Sequence, residues 1–358
     1  MMDRGYYLNL AARGLAMPVG TDLVLREHAD HEAILHDGAR LGAVLAEAAR
    51  RYGTPLALPV MDLTLEKAAL LQMLGVPADE VAQYHFSQCP GDEVIERVRR
   101  HLSDPSDPRL QANIDAIRFI RDQTDLIPVG MTIGPFSLMT KLLADPITPL
   151  FMAGSGVTAA DDEEVRTVER VLELSTLIIL RSISRQIQAG ARLIFVAEPA
   201  ANVAYISPKQ IEAGSDIFDR YVMRYNQRLK SLMNAWGVDL FFHCCGELTT
   251  WMVQRFTQLD PAILSLGSSR KLWEDARVVP PTTVLYGNLP SKKFYSDELC
   301  TRDDVMRMAR ELREKMSAVG HPFILGTECD VLSVPGCEKK IMGKVQAMLA
   351  AASAAGGA

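Results

Sequence analysis

A (β/α)8 barrel of the TIM type is the fold that this sequence predicts, from the alternation of short apolar runs with amphipathic stretches and from the number of runs. A parallel sheet covered on both faces has strands that read as continuous apolar runs, and the crossing helices between them carry one polar face. Eight candidate runs lie between about residues 55 and 330. That number suits closure into a barrel better than an open sheet, although an open sheet shares the alternation. With 358 residues and 48% hydrophobic content, the chain has enough apolar surface for one large core.

Residues 1–54 read as an N-terminal helical segment packed on the barrel. Its clearest helix, 41–51, places Leu41, Val44, Leu45 and Ala48 on one face. His28, His31 and His36 precede it among acidic residues, a setting that fits a solvated helix better than a ligand cluster. The barrel is expected over 55–347. Residues 55–62 form a strand ending in Asp62, and 64–74 a helix that Gly75 and Pro77 stop. A weak strand follows at 81–86, with helices at 92–102 and 109–122. The strong strand 126–132 turns at Gly134-Pro135 into a helix from Phe136, and a long amphipathic helix spans about 161–188. After the strand at 191–199, Ser207 caps a helix with Pro208 at its first position. The remaining strands lie around Phe241 and at 262–267, 283–289 and 323–326. The Ala/Gly-rich tail, 348–358, is expected to fray.

Chemistry concentrates in Val238-Asp-Leu-Phe-Phe-His-Cys-Cys-Gly-Glu247 and in Phe323-Ile-Leu-Gly-Thr-Glu-Cys-Asp-Val331. Side chains alternate along a strand, so His243 and Cys245 share a face and Cys244 takes the other. Cys329 offers a third soft ligand past another apolar run. One imidazole and two thiolates leave a tetrahedral zinc one position short, as a catalytic zinc requires. Free cysteine is also among the most buried residue types, so the same pattern can arise from core packing alone. Active sites of such barrels lie at the carboxyl ends of the strands. Asp62, His85, Thr132, Glu198, His243, Cys245, Asn288 and Cys329 all fall at or just past predicted strand ends.

The net charge of −6, with acids and bases interspersed, argues against nucleic acid as a partner. No apolar run reaches the roughly 18 residues that span a membrane. The start of the sequence lacks the layout of a signal peptide, so a cytoplasmic location is expected. The cysteines Cys89, Cys244, Cys245, Cys300, Cys329 and Cys337 are too few for a disulfide framework in so long a chain and are expected to be reduced. Cys89, Cys244, Cys300 and Cys337 read as structural.

The His243-x-Cys245 pair with the distant Cys329 resembles the zinc signature of the methyltransferases in the uroporphyrinogen decarboxylase superfamily. Ile127-Pro-Val-Gly-Met-Thr-Ile-Gly-Pro-Phe136, Glu198-Pro-x-Ala-Asn202, Ile206-Ser-Pro208 and Tyr286-Gly-Asn288 look like that superfamily's strand-end segments, in the same order. The resemblance covers roughly residues 55–347. It implies a (β/α)8 barrel, zinc at the barrel mouth, and methyl transfer to or from a corrinoid (cobalamin) carried by a separate corrinoid-binding protein. Two departures argue against decarboxylation of uroporphyrinogen. Phe86-Ser-Gln88 stands where the decarboxylases carry an acid after Phe-Ser, and their arginine-rich N-terminal segment, suited to a polycarboxylate, is missing. Pro59-Val-Met-Asp-Leu-Thr-Leu-Glu-Lys67 looks more like the aryl methyl ether O-demethylases than the enzymes that methylate a thiol such as coenzyme M. None of the seven histidines has an aspartate two positions before it, so the Asp-x-His-x-x-Gly corrinoid motif is lacking and the corrinoid must come on a partner.

Within this resemblance, His243, Cys245 and Cys329 would hold the zinc. Glu198 is a candidate fourth, displaceable ligand or a partner that orients His243, unless it forms only a salt bridge at the rim. Asp62 would position a small-molecule methyl donor or protonate its leaving group, or merely cap the helix at Thr64. Asn202, Tyr205, His85, Thr132 and Asn288 are candidate substrate contacts, with loop hydrogen bonding and core packing as the plain alternatives. A closed, structural zinc site and a corrinoid-free zinc methyltransferase resembling the methionine synthase barrel remain open at this point.

Overall fold

A computed structural model describes residues 4–105 and 107–353. Eight parallel strands form one curled sheet: β1 (Ala16–Val19), β2 (Leu56–Ala57), β3 (Ile127–Ile133), β4 (Leu193–Ala197), β5 (Asp239–Cys244), β6 (Ile263–Leu266), β7 (Val284–Leu289) and β8 (Phe323–Asp330). Their order is β1-β8-β7-β6-β5-β4-β3-β2, so the two edges are the consecutive strands β1 and β2. Side chains bridge that seam. Thr21 Oγ1 donates to the Leu58 carbonyl (2.7 Å), the Tyr52 hydroxyl to the Gly20 carbonyl (2.8 Å), and Thr54 Oγ1 to Met17 Sδ (3.2 Å).

Strand alternation divides the apolar residues into two cores. Met17, Leu56, Val129, Phe195, Phe241 and Tyr286 belong to the set that fills the barrel, whereas Ile194, Val196, Leu240, Phe242 and Leu325 point outward into the layer beneath the helices. The inner rings stack, with Phe195 to Phe241 at 4.5 Å and Phe241 to Tyr286 at 5.3 Å between centroids. Gly326 of β8 leaves room for the Tyr286 ring, since a Cβ there would lie 2.2 Å from Tyr286 Cζ. The helix Arg4–Ala12 closes the amino end of the barrel. Its buried Tyr7 donates to Asp239 Oδ2 (3.1 Å), and Arg4 reaches the Pro261 carbonyl and the Asp260 carboxylate.

Most expected helices are present, among them Gly38–Arg51, Leu65–Met73, Asp92–His101, Pro108–Gln123, Pro135–Leu142 and Glu163–Ala189. Three expectations are corrected. Residues 81–86 form no strand; they run as turn and loop, held by one long-range backbone bond from Phe86 N–H to the Leu142 carbonyl (2.9 Å). Gln83 and His85 interrupt the apolar run that a doubly covered strand needs. The eighth strand is instead β1, within the segment read as helical. It is short and contains Pro18, which cannot donate to a ladder; the register against β8 shifts there, between Met17 and Val19. Finally, the helix Glu338–Ser353 continues through much of the stretch expected to fray, burying Met348 and Ala351, and residues 354–358 lie outside the described residues. Among the described residues, no helix is long and apolar enough to cross a membrane.

Candidate metal centre

Alternation along β5 builds the site. Asp239 lies at the amino end against Tyr7, Phe241 fills the middle of the barrel, and His243 comes next on the same face. His243 is 1% exposed. Its Nδ1 is 2.8 Å from Oγ of Ser265, its register partner on β6, and its ring rests 5.2 Å from that of Phe195. Nε2 is buried and has no hydrogen-bond partner among the described residues. An imidazole fixed through one nitrogen, with the other buried and unpaired, is arranged as a ligand. Cys245 and Cys329 supply the remaining atoms, and the three ligand atoms lie within 4.8 Å of one another, the one such group among the described residues. Atoms bound to one tetrahedral zinc are roughly 3.5–3.8 Å apart, so small side-chain adjustments would bring these into place.

Electrostatics favours a thiolate at Cys245. A hydrogen bond from the Cys329 thiol drives the Cys245 thiol well below the ordinary range, against the effect of burial, and His243 and Lys292 act in the same direction. That shared proton and burial push Cys329 up. Lys292, in the turn after β7, is penalised by burial, yet Cys245, Cys329 and Glu328 together hold it above the ordinary lysine value. Glu328 also ties the mouth together, accepting from Ser268 N–H (3.1 Å) and Ser268 Oγ (2.6 Å). Cys244 faces outward, fully buried, and desolvation raises its thiol.

Glu198 follows β4, where Phe195 and Ala197 point inward, and its side chain leaves on the outer face. The carboxylate accepts from Ser137 N–H (2.6 Å), Phe136 N–H (3.3 Å) and Asn226 Nδ2 (2.9 Å), at the amino end of the helix Pro135–Leu142. Its backbone N–H donates to the His243 carbonyl (2.8 Å). The partner of the His243 ring is therefore Ser265, and the Glu198 carboxylate lies outside the cluster that His243, Cys245 and Cys329 form.

Residues 19–346 match the sequence model of the family described as uroporphyrinogen decarboxylase (URO-D). The chain belongs to the uroporphyrinogen decarboxylase family. No curated protein matches the chain. Among solved structures, a methyltransferase from Methanosarcina mazei is similar over 97% of each chain, with a TM-score of 0.67 and 18% identity. At that identity the likeness speaks for the fold, and the family assignment rests on the match over 19–346.

The other expected residues of this uroporphyrinogen decarboxylase relative are dispersed. Thr132 points outward, where it hydrogen-bonds Glu66, a buried carboxyl pushed up to about 7 by desolvation and also bonded to Ser182 (2.8 Å). Asn288 Nδ2 donates to the carbonyls of Gly267 (2.7 Å) and Arg270 (2.9 Å), fixing the loop after β6. Asn202 Oδ1 accepts from Ala204 N–H (2.7 Å), and a Cβ on Gly246 would meet the Asn202 side chain, so this loop packs directly against the turn that follows Cys245. Tyr205 lies edge-on to Phe136 at 6.3 Å, and His85 is exposed. Asp62 accepts from Thr64 N–H and Oγ1 and sits 3.5 Å from Arg109 at the β1–β2 seam. His28, His31 and His36 form no ligand group, and His28 and His31 face Glu47 and Glu32. Ser265, Lys292 and Glu328 were not expected from the sequence. Only the parity of β5 against β6 could have pointed to Ser265.

Proposed function

We propose that this chain is a zinc-dependent methyltransferase that moves a methyl group from a small-molecule donor, an aryl methyl ether, to the cobalt(I) of a corrinoid carried by a separate protein. The observation that carries this reading is the buried, unpartnered Nε2 of His243 beside Cys245 and Cys329 at the carboxyl ends of the strands. One nitrogen and two sulfurs make a soft, three-point set that leaves a position free for substrate. Family membership, the fold shared with a methyltransferase and the ether-demethylase-like segment 59–67 support the same reading.

In this proposal Ser265 sets the His243 ring so that Nε2 faces the mouth, and the Phe195 ring beneath excludes water. The Lys292 ammonium offsets the negative charge of the two thiolates, leaving the centre a stronger electron-pair acceptor. Bound zinc would supply Lewis acidity at the ether oxygen, so that the phenolate departs as the carbon–oxygen bond breaks and the methyl passes to cobalt(I). His243, Cys245 and Cys329, which would hold the zinc, lie at a strand-end mouth, where a cofactor-bearing partner would dock. Single-turnover mixing of zinc-loaded protein, a cobalt(I) corrinoid protein and an aryl methyl ether should convert the cobalt(I) spectrum to methylcobalt(III), with one phenol released per methyl moved. Methylation of a thiol by methylcobalamin, with no turnover of any ether, would contradict the donor and the direction proposed here.

A further inference from the structure

A second set of buried charged groups, outside the metal cluster, is left short of hydrogen bonds. A cavity of about 640 Å³ opens at the seam where the carboxyl ends of β1, β2 and β8 meet. Its volume lies within the range of small-molecule sites. Asp330, the last residue of β8, is 7% exposed, and neither of its carboxylate oxygens has a hydrogen-bond partner within the cavity walls. Arg109, at the start of the helix Pro108–Gln123, has a side chain 12% exposed, and both terminal nitrogens are buried without a hydrogen bond. Its one ion pair among the described residues is loose, Nη2 to Asp62 Oδ2 at 3.5 Å, while Asp62 Oδ1 accepts from Thr64. Leaving such groups unmatched is expensive, on the order of 1–3 kcal/mol for each buried donor or acceptor and more when it is charged. Arg109 and Asp330 form no ion pair with each other, so they mark separate parts of the cavity.

The rest of the lining fixes the character of an occupant. Leu25, Val60, Met61, Leu63 and Leu332 give an apolar wall. The carboxyl groups of Asp22, Asp62, Asp330 and Glu338 outnumber the guanidiniums of Arg26 and Arg109. Asp22 is held by Arg26 (3.3 Å) and by Ser333 N–H (3.0 Å), Asp62 lies beside Arg109 and Glu338 is exposed, which leaves Asp330 as the buried acid with no cation among the described residues. A plain carboxylic acid would satisfy Arg109 but add negative charge to a cavity already rich in it. A ligand that also brings an ammonium group satisfies both ends.

We propose that this cavity binds a zwitterion, with a carboxylate on the Arg109 fork and an ammonium group on Asp330, joined by an apolar body. Asp330 directly follows Cys329, so the bound molecule would share the β8 wall with the candidate metal centre. The inference stands on these groups alone and does not depend on methyl transfer.

The test is calorimetric titration of the full chain, with no corrinoid protein present, using 4-(aminomethyl)benzoate, benzoate and benzylamine. Because charge-assisted bonds are the strong ones, the zwitterion should bind about tenfold or more tighter than either singly charged probe. Arg109→Met should weaken the two acids about tenfold and leave benzylamine nearly unchanged; Asp330→Asn should weaken the two amines and spare benzoate. Should Arg109→Met fail to fold, Arg109→Lys, which keeps the charge but loses the fork, should still weaken the acids several-fold. Equal affinity for all three probes, no binding of the zwitterion, or equal loss for all three in each variant would overturn the proposal. Zinc content is read on the same samples, so failure here is separable from failure of the metal assignment.

Discussion

Glu198 and His243 sit side by side on neighbouring parallel strands, joined by the Glu198 N–H to His243 carbonyl bond, yet their side chains serve opposite faces. His243 points into the barrel mouth with a buried nitrogen that has no hydrogen-bond partner among the described residues. Glu198 points out beneath a helix, where three donors satisfy it. Being at a strand end is therefore insufficient for membership of the site; for this pair, the face that each side chain takes decides it. The mouth gathers His243, Cys245 and Cys329, whereas the outer face uses Glu198 to anchor a helix.

Substitutions on the two faces should separate cleanly. His243→Ala should produce the largest effect, a loss of zinc affinity of about a thousandfold, near a third of the roughly 10–16 kcal/mol with which four-ligand structural sites hold zinc. Competition with a chelator reads this directly, and the fold should persist by circular dichroism. Glu198→Ala should do the converse, lowering stability by about 4 kcal/mol by stranding buried donors while zinc stoichiometry is unchanged. Urea unfolding with parallel metal analysis checks both halves.

Glu66, on the same outer layer as Glu198, sharpens the contrast through pH. Burial, opposed by hydrogen bonds from Ser182 and Thr132, raises its carboxyl from 4.5 to about 7. The folded state then binds more protons than the unfolded state between those values. Stability should fall as pH rises from about 4.5 to 7 and stay lower above that, by about 3 kcal/mol for a shift of this size. Glu66→Gln should remove this fall, which unfolding measured at pH 5 and pH 8 would show; an unchanged pH dependence would place the proton elsewhere. Ser265→Ala should give the smallest effect, about a tenfold loss in zinc affinity through a freed His243 ring, as for other groups that orient metal ligands. The same change should leave stability nearly intact.

How much of this was legible in the sequence follows the same division. The strands around Phe195, Phe241, Tyr286 and Leu325 were readable as apolar runs, and His243 and Cys245 as sharing a face, because spacing by two on a strand has one geometric meaning; Cys329 was readable only as a third soft residue past another apolar run, and the fold brings the three ligand atoms within 4.8 Å of one another. Glu198 and Thr132 were misplaced for a physical reason. Strands buried on both faces are apolar at every position, so β3 and β4 show no alternation from which parity could be read. In β5 the polar residues themselves reveal it. β1 was missed because four residues with a central proline carry too little signal, and the weak run at 81–86 took its place in the count of eight. Arg109 and Asp330 could not be paired with one cavity from sequence, since more than 200 positions separate them and the seam alone brings them to it.

The most direct test of the central claim is zinc per chain, measured by elemental analysis on protein purified anaerobically, for the wild type and for Cys329→Ser. The account predicts close to one zinc per wild-type chain and clear loss in the variant, because Cys329 completes the set that His243 and Cys245 begin. A wild-type protein that holds no zinc and takes none up on reconstitution would contradict it, and would return the buried histidine and its two cysteines to the core.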